Sequence, residues 1–144
     1  MLQLKPIKGF NNIGLIYKNG NKFYANNATA IVVFRKNYSC QNVTKENSTI
    51  YFAVIIGKKT AKKAVVRNRI KRLLRESLRI LTKQYHEKIN CIEQIILYYN
   101  AAPTHQKLIK LKDIMPAIEN ILMQAFIYYN DNSTQNFNSS DKSI

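Results

Sequence analysis

The sequence predicts an α+β domain in which one sheet is covered by helices. Three observations carry that expectation. Short apolar runs rich in β-branched and aromatic residues alternate with segments of helical periodicity, 46% of the chain is apolar, and 144 residues suit one modest core. The order helix, strands, long helix, strand, helix fits a split β-α-β arrangement and leaves the strand order open.

Residues 10–19, FNNIGLIYKN, space Ile13, Ile16 and Tyr17 as one helical face, with Asn11 or Asn12 as N-cap and Gly20 as the stop. FYA (23–25) reads as a short strand, and AIVVF (30–34) and TIYFAVIIG (49–57) as sheet strands. Between the last two, residues 35–48 are polar and turn-rich, which predicts a mobile surface loop. A helix is expected from about Ala61 to Tyr85, a strand at IEQIILYY (92–99), and a last helix over 104–129 that Pro116 kinks or divides. Residues 130–144 hold almost nothing to bury and predict a disordered polar tail, so the folded domain is expected to span 1–129.

Charge is the loudest feature. Lys and Arg total 23 against 8 acids, a formal net charge of +15, and self-repulsion of that size calls for an anionic partner. The stretch KKAVVRNRIKRLLRESLR (62–79) holds eight cationic side chains and a single acid, Glu76, and contains five of the six arginines in the chain. Projected at 100° per residue, Val66, Ile70, Leu73, Leu74, Ser77, Ile80 and Leu81 form a face suited to packing on a sheet. The opposite face is expected to collect Arg67, Asn68, Arg69, Lys71, Arg72, Arg75 and Arg79. Like charges at i,i+4 cost a helix about 0.2–0.5 kcal/mol per pair, so folding alone does not select them. Guanidinium groups offer phosphate a bidentate fork and stack on bases, which lysine does not.

Rival readings are weaker. Membrane-surface binding needs a free apolar helix face, which the flanking strands are expected to cover, and no apolar run reaches the roughly 20 residues of a spanning helix. A DNA-reading helix lacks the preceding short helix and tight turn of a helix-turn-helix. RNA, bound through shape, phosphates and unpaired bases, fits better. Cys40 and Cys91 are far apart with no CxxC, and His86 and His105 are isolated, so no zinc site or side-chain catalyst is indicated. The amino-terminal stretch has no apolar run of signal-peptide length, and the chain is expected to be cytoplasmic.

The run from Gly57 to Glu76, GKKTAKKAVVRNRIKRLLRE, closely resembles the signature of the bacterial ribonuclease P protein component: a strand ending in Lys-Lys, a short spacer with Ala, then Arg-Asn-Arg-x-Lys-Arg-x-x-Arg-Glu/Gln. The resemblance extends more loosely over roughly residues 8–129. It implies an αβββαβα domain similar to the second domain of a ribosomal small-subunit protein, in which the motif helix joins two parallel strands by a left-handed crossover. It further implies a protein that partners a catalytic RNA in removing the 5′ leader of precursor tRNA. Mg2+ would serve the holoenzyme and be held mainly by the RNA, and the protein alone would require no cofactor and no obligate protein partner.

Carried over by position, Lys58, Lys59, Lys62, Lys63, Arg67, Asn68, Arg69, Lys71, Arg72 and Arg75 are the expected RNA contacts. A leader cleft between the first helix and the sheet is expected at Ile13, Tyr17, Ala53 and Ile55. Ile13 departs from the family's aromatic pair on that helix, and YYNAAP (98–103) replaces a commonly basic stretch. No catalytic or metal-binding residue is assigned. The alternative is a structural RNA-binding module of ribosomal-protein type, with no processing role.

Overall fold

The computed structural model describes residues 3–7, 10–35, 49–102 and 109–142. In chain order it contains β1 (Gln3–Pro6), α1 (Phe10–Asn19), β2 (Asn21–Ala25), β3 (Ala28–Phe34), β4 (Thr49–Ile55), α2 (Ala64–Gln84), α3 (His86–Ile89), β5 (Ile92–Tyr99) and α4 (Leu111–Lys142). The expected αβββαβα order is therefore present, with β1 added in front and the single-turn α3 inserted before β5. The five strands form one sheet in the order β1-β4-β5-β3-β2. β4 runs parallel to both β1 and β5, whereas β3 is antiparallel to β5 and to β2. The motif helix α2 thus connects two adjacent parallel strands, a link that needs a crossover of helical length.

Period-two alternation gives the sheet two apolar faces. Ala28, Ala30, Val32, Ile50, Ile95 and Leu97 point to one side, where they meet the buried stripes of α2 and α4. Ile31 and Ile96 point to the other side and close a smaller cluster on Ile16 of α1. The result is three layers, with α1 on one face and the two long helices on the other. From Ile95 to Leu97 β5 is buried on both faces, which is why that part reads as an uninterrupted apolar run.

Local chemistry sets the turns. β2 and β3 are joined by the two residues Asn26 and Asn27, and Asn26 takes φ 51°, a left-handed conformation that asparagine tolerates well. Gly20 donates its N–H to the Ile16 carbonyl at 2.8 Å and ends α1, as expected. Arg35, the arginine outside α2, is buried; its guanidinium donates to the carbonyls of Asn90 and Thr49 and so ties the end of β3 to the starts of β5 and β4.

Several boundaries differ from the sequence reading. α2 starts at Ala64 rather than Ala61. Its buried side holds Leu78 and Thr82 and leaves Ile80 half-buried. The buried hydroxyls of Ser77 and Thr82 donate to the carbonyls of Leu73 and Leu78, at 2.8 and 2.6 Å, which is how polar residues occupy the packing face without unpaired groups. α4 begins at Leu111, where the Asp113 carboxylate accepts the Lys110 N–H at 2.9 Å as a cap. Pro116 lies inside α4 and does not divide it: it falls in the second turn, on the exposed side, so only one early backbone bond is given up. Where the sequence reading starts a disordered tail, the backbone of α4 continues to Lys142, through a segment with neither Pro nor Gly to stop it. The expected mobile loop, apart from Arg35, and the expected helical turns over 104–108 lie outside the described residues. Among the described residues no helix is long and apolar enough to cross a membrane.

α1 is held tightly where it meets β3. A Cβ on Gly20 would stand 2.3 Å from Ile31 Cγ2 and 2.7 Å from the Ile16 carbonyl oxygen. Gly20→Ala is therefore expected to cost about 1–3 kcal/mol, the usual range for overpacking. A thermal melt of the variant checks this, and an unchanged midpoint would show that α1 can move off the sheet freely.

Candidate nucleic-acid interface

The basic segment begins in the link after β4. Thr60 and Ala61 both bond back to the Gly57 carbonyl at 3.1 Å, and Ala61 is buried as an anchor. Around that turn Lys58, Lys59, Lys62 and Lys63 are all exposed. α2 then starts without a side-chain cap and with no acid in its first turn, so the lysines and the open N–H groups of the helix reinforce one positive region.

Arg67 does not face outward with the others. It lies three, seven and fourteen residues before Ile70, Leu74 and Leu81, hence on the packing side of α2. Its Nη1 donates to the carbonyls of Ala61 at 2.8 Å and Lys62 at 3.0 Å, folding the link onto the first turn. Arg69 and Lys71 flank the packing side and are half-buried. Arg69 reaches the Ile109 carbonyl at 3.5 Å, while its buried Nε has no hydrogen-bond partner among the described residues.

The outward ridge consists of Asn68, Arg72, Arg75 and Arg79, all exposed and separated by four, three and four residues. Glu76 is bound to Arg79 through both carboxylate oxygens. The Arg79 guanidinium holds the Glu76 carboxyl below its usual range, and the same bond raises Arg79. Among the described residues Arg72 and Arg75 form no ion pair. Sequence projection placed Asn68, Arg72, Arg75 and Arg79 correctly, and misplaced Arg67, which by its spacing shares the packing side with Ile70, Leu74 and Leu81.

A second surface lies on the opposite face of the sheet. Ile13 of α1 and Ala53 and Ile55 of β4 are half-buried around the Ile16–Ile31–Ile96 cluster, and Tyr17 stands beside them, 46% exposed. The structure therefore brings the four expected cleft residues together. It adds two that the sequence reading missed. Tyr98 of β5 meets Tyr17 edge to face at 5.8 Å between ring centroids, and their hydroxyls are hydrogen-bonded. Tyr51 is 40% exposed, with Lys5 and Gln94 as its cross-strand neighbours. The alternation Tyr51, Ala53, Ile55 was the available signal, but only the β4–β5 register places Tyr98 opposite Ile55. β4 thus leads from the floor of this cleft straight into the lysine-rich link.

Among the described residues no group of three or more His, Cys, Asp or Glu side chains comes together as a metal site. What the two surfaces offer is phosphate neutralisation and aromatic stacking, the pairing used to hold single-stranded nucleic acid.

Known proteins are similar to the chain in sequence and in fold. A curated relative from Prochlorococcus marinus (strain MIT 9515), described as a ribonuclease P protein component, is 36% identical over 78 residues; the match covers 49% of this chain and 56% of that protein. An RNase P protein structure from Staphylococcus aureus superimposes with TM-score 0.57 at 24% identity, covering 83% of this chain and 94% of that one. The RNase P protein from Thermotoga maritima gives TM-score 0.58 at 15% identity, covering 83% and 96%. The Ribonuclease P family model matches residues 3–117, which takes in the lysine link, the arginine ridge and every strand of the sheet, and the chain belongs to that family.

Proposed function

We propose that the chain is the protein subunit of a ribonucleoprotein endonuclease that removes the 5′ leader of precursor tRNA. The catalytic RNA is its partner and carries the chemistry. The observation that supports this most is the outward row Asn68, Arg72, Arg75 with four exposed lysines before it, a surface of unneutralised charge that folding does not use. Each guanidinium would take a phosphate, and Asn68 would bond the backbone or a base edge. Lys58, Lys59, Lys62, Lys63 and Lys71 would add point charges at the same surface, and Arg69 would contact RNA from its flank. Arg67 would act chiefly by holding the link in place.

The α1 cleft would hold the single-stranded leader, with Tyr17 and Tyr98 offering rings for a base. The second ring there comes from β5 and not from α1, because Ile13 supplies none. Mg2+, when bound to the RNA, would supply the activated water and the charge stabilisation that such hydrolysis needs. The described residues of this chain do not fit that ion, lacking a cluster of donors, and the RNA is the proposed holder.

The decisive experiment is reconstitution. The chain with its cognate catalytic RNA is expected to remove 5′ leaders at low magnesium, and the chain alone is expected to cut nothing. Cleavage by the protein alone would overturn the reading, and copurification with ribosomal RNA in place of a processing RNA would favour a structural role.

Arg72→Gln and Arg75→Gln should each weaken RNA binding and lower the slope of log affinity against log salt by about one, with unchanged thermal stability. Arg67→Gln should instead lower the melting temperature, since it frees the link carbonyls. Titration at several salt concentrations, paired with melts, separates the two classes.

Tyr98→Ala should weaken binding of leader-bearing precursor tRNA about tenfold and leave mature tRNA binding unchanged, in line with the worth of one stacked base. Equal losses on both substrates would remove the leader from this cleft.

A further inference from the structure

Beside the arginine ridge, between α2 and the outer edge of the sheet, lies an open pocket of about 440 Å³. Its apolar side is made by Leu4 of β1 and Phe52 of β4, which border the main core but remain half-buried. Its other side is cationic. Arg72, Arg75, Arg79 and Lys83 line it from successive turns of α2. The Thr82 hydroxyl is committed to the Leu78 carbonyl, and Glu76 is bonded to Arg79 with Lys83 also acting on its charge. One carboxylate thus stands against the four cations Arg72, Arg75, Arg79 and Lys83.

An aromatic ring and a leucine facing four cations and a single carboxylate are poorly served by water. The apolar atoms lose nothing by desolvation, and the cations ask for a dense anion. A ligand that satisfies both carries a flat, weakly hydrated body with negative groups attached to it. A nucleotide has that form, and the pocket falls within the size range of small-ligand sites, about 300–1,000 Å³.

We propose that this pocket takes one unpaired nucleotide of a bound RNA strand, its base against Phe52 and Leu4 and its flanking phosphates on Arg72, Arg75 and Lys83. The inference rests on the reading of the α2 face as an RNA surface and deepens it. Arg72 and Arg75 belong to both the ridge and the pocket, so a strand following the ridge passes the pocket mouth. A base held in a duplex cannot enter, which makes the site selective for bulges and unpaired positions. Glu76 retains lone pairs beyond those used by Arg79, and these accept from a base amino group.

The test uses the full chain and two hairpin RNAs, one with a single bulged 2-aminopurine and one fully paired, with free GMP as competitor. Wild type is expected to bind the bulged hairpin about tenfold more tightly and to quench its fluorescence on binding. Phe52→Leu, which keeps apolar volume, and Lys83→Gln, at an exposed position, should each shrink that preference several-fold while the protein melts as before. Equal affinity for the two hairpins, or a preference untouched by both variants, overturns the pocket and leaves the RNA surface standing. Failure to bind either hairpin at low salt overturns the RNA surface as well. Displacement of the bulged hairpin by micromolar GMP would assign the pocket to a free nucleotide and overturn the strand-borne one.

Discussion

The structure depends on the burial of one side of α2 against the sheet. Val66, Ile70, Leu74, Leu78 and Leu81 are sequestered between β4 and α4, and that contact dictates where every cation on the helix goes. Five arginines within thirteen residues repel one another, and an isolated peptide of this sequence would gain little by becoming helical. Apolar burial, at about 25 cal/mol per Å², supplies the stabilisation that the charges withhold. The helix is therefore a device that spends core packing on displaying guanidinium groups.

The sheet has a parallel logic. Because β5 is flanked by β4 and β3 and covered on both faces, it can present Ile95 and Leu97 to the long helices and Ile96 and Tyr98 to α1. β4 does the same with Phe52 and Ala53, neighbours in the chain that serve different surfaces. Two candidate surfaces, one basic and one aromatic, are thus built from one sheet, and sites on strands and helices hold their geometry better than sites on loops.

Much of this was legible in the sequence. α1, β3, β4, β5 and the core stripe of α2 follow from periodicity, and their limits agree within a few residues. β1 was not legible, because QLKP is short, contains proline and forms only where β4 offers a parallel edge. The Asn26–Asn27 turn carries no glycine and so did not announce a hairpin. At the interface the ridge was legible from spacing, whereas Tyr98 and the Phe52 pocket depend on strand register and on which strand β1 pairs with. Those are tertiary facts that no local pattern contains. The role of Arg67 was hidden for a related reason: its partners are backbone carbonyls, which every sequence has.

Arg67 also shows that equal charge is not equal function within one motif. Its Nη1 donates to two carbonyl oxygens of the link at once, so its hydrogen-bonding is directed at the backbone of its own chain. The first arginine of the Arg-Asn-Arg stretch is thus a piece of scaffolding written in the same alphabet as its neighbours. A tally of positive residues would count it with them, although its removal would be felt first by the turn that aims Lys62 and Lys63.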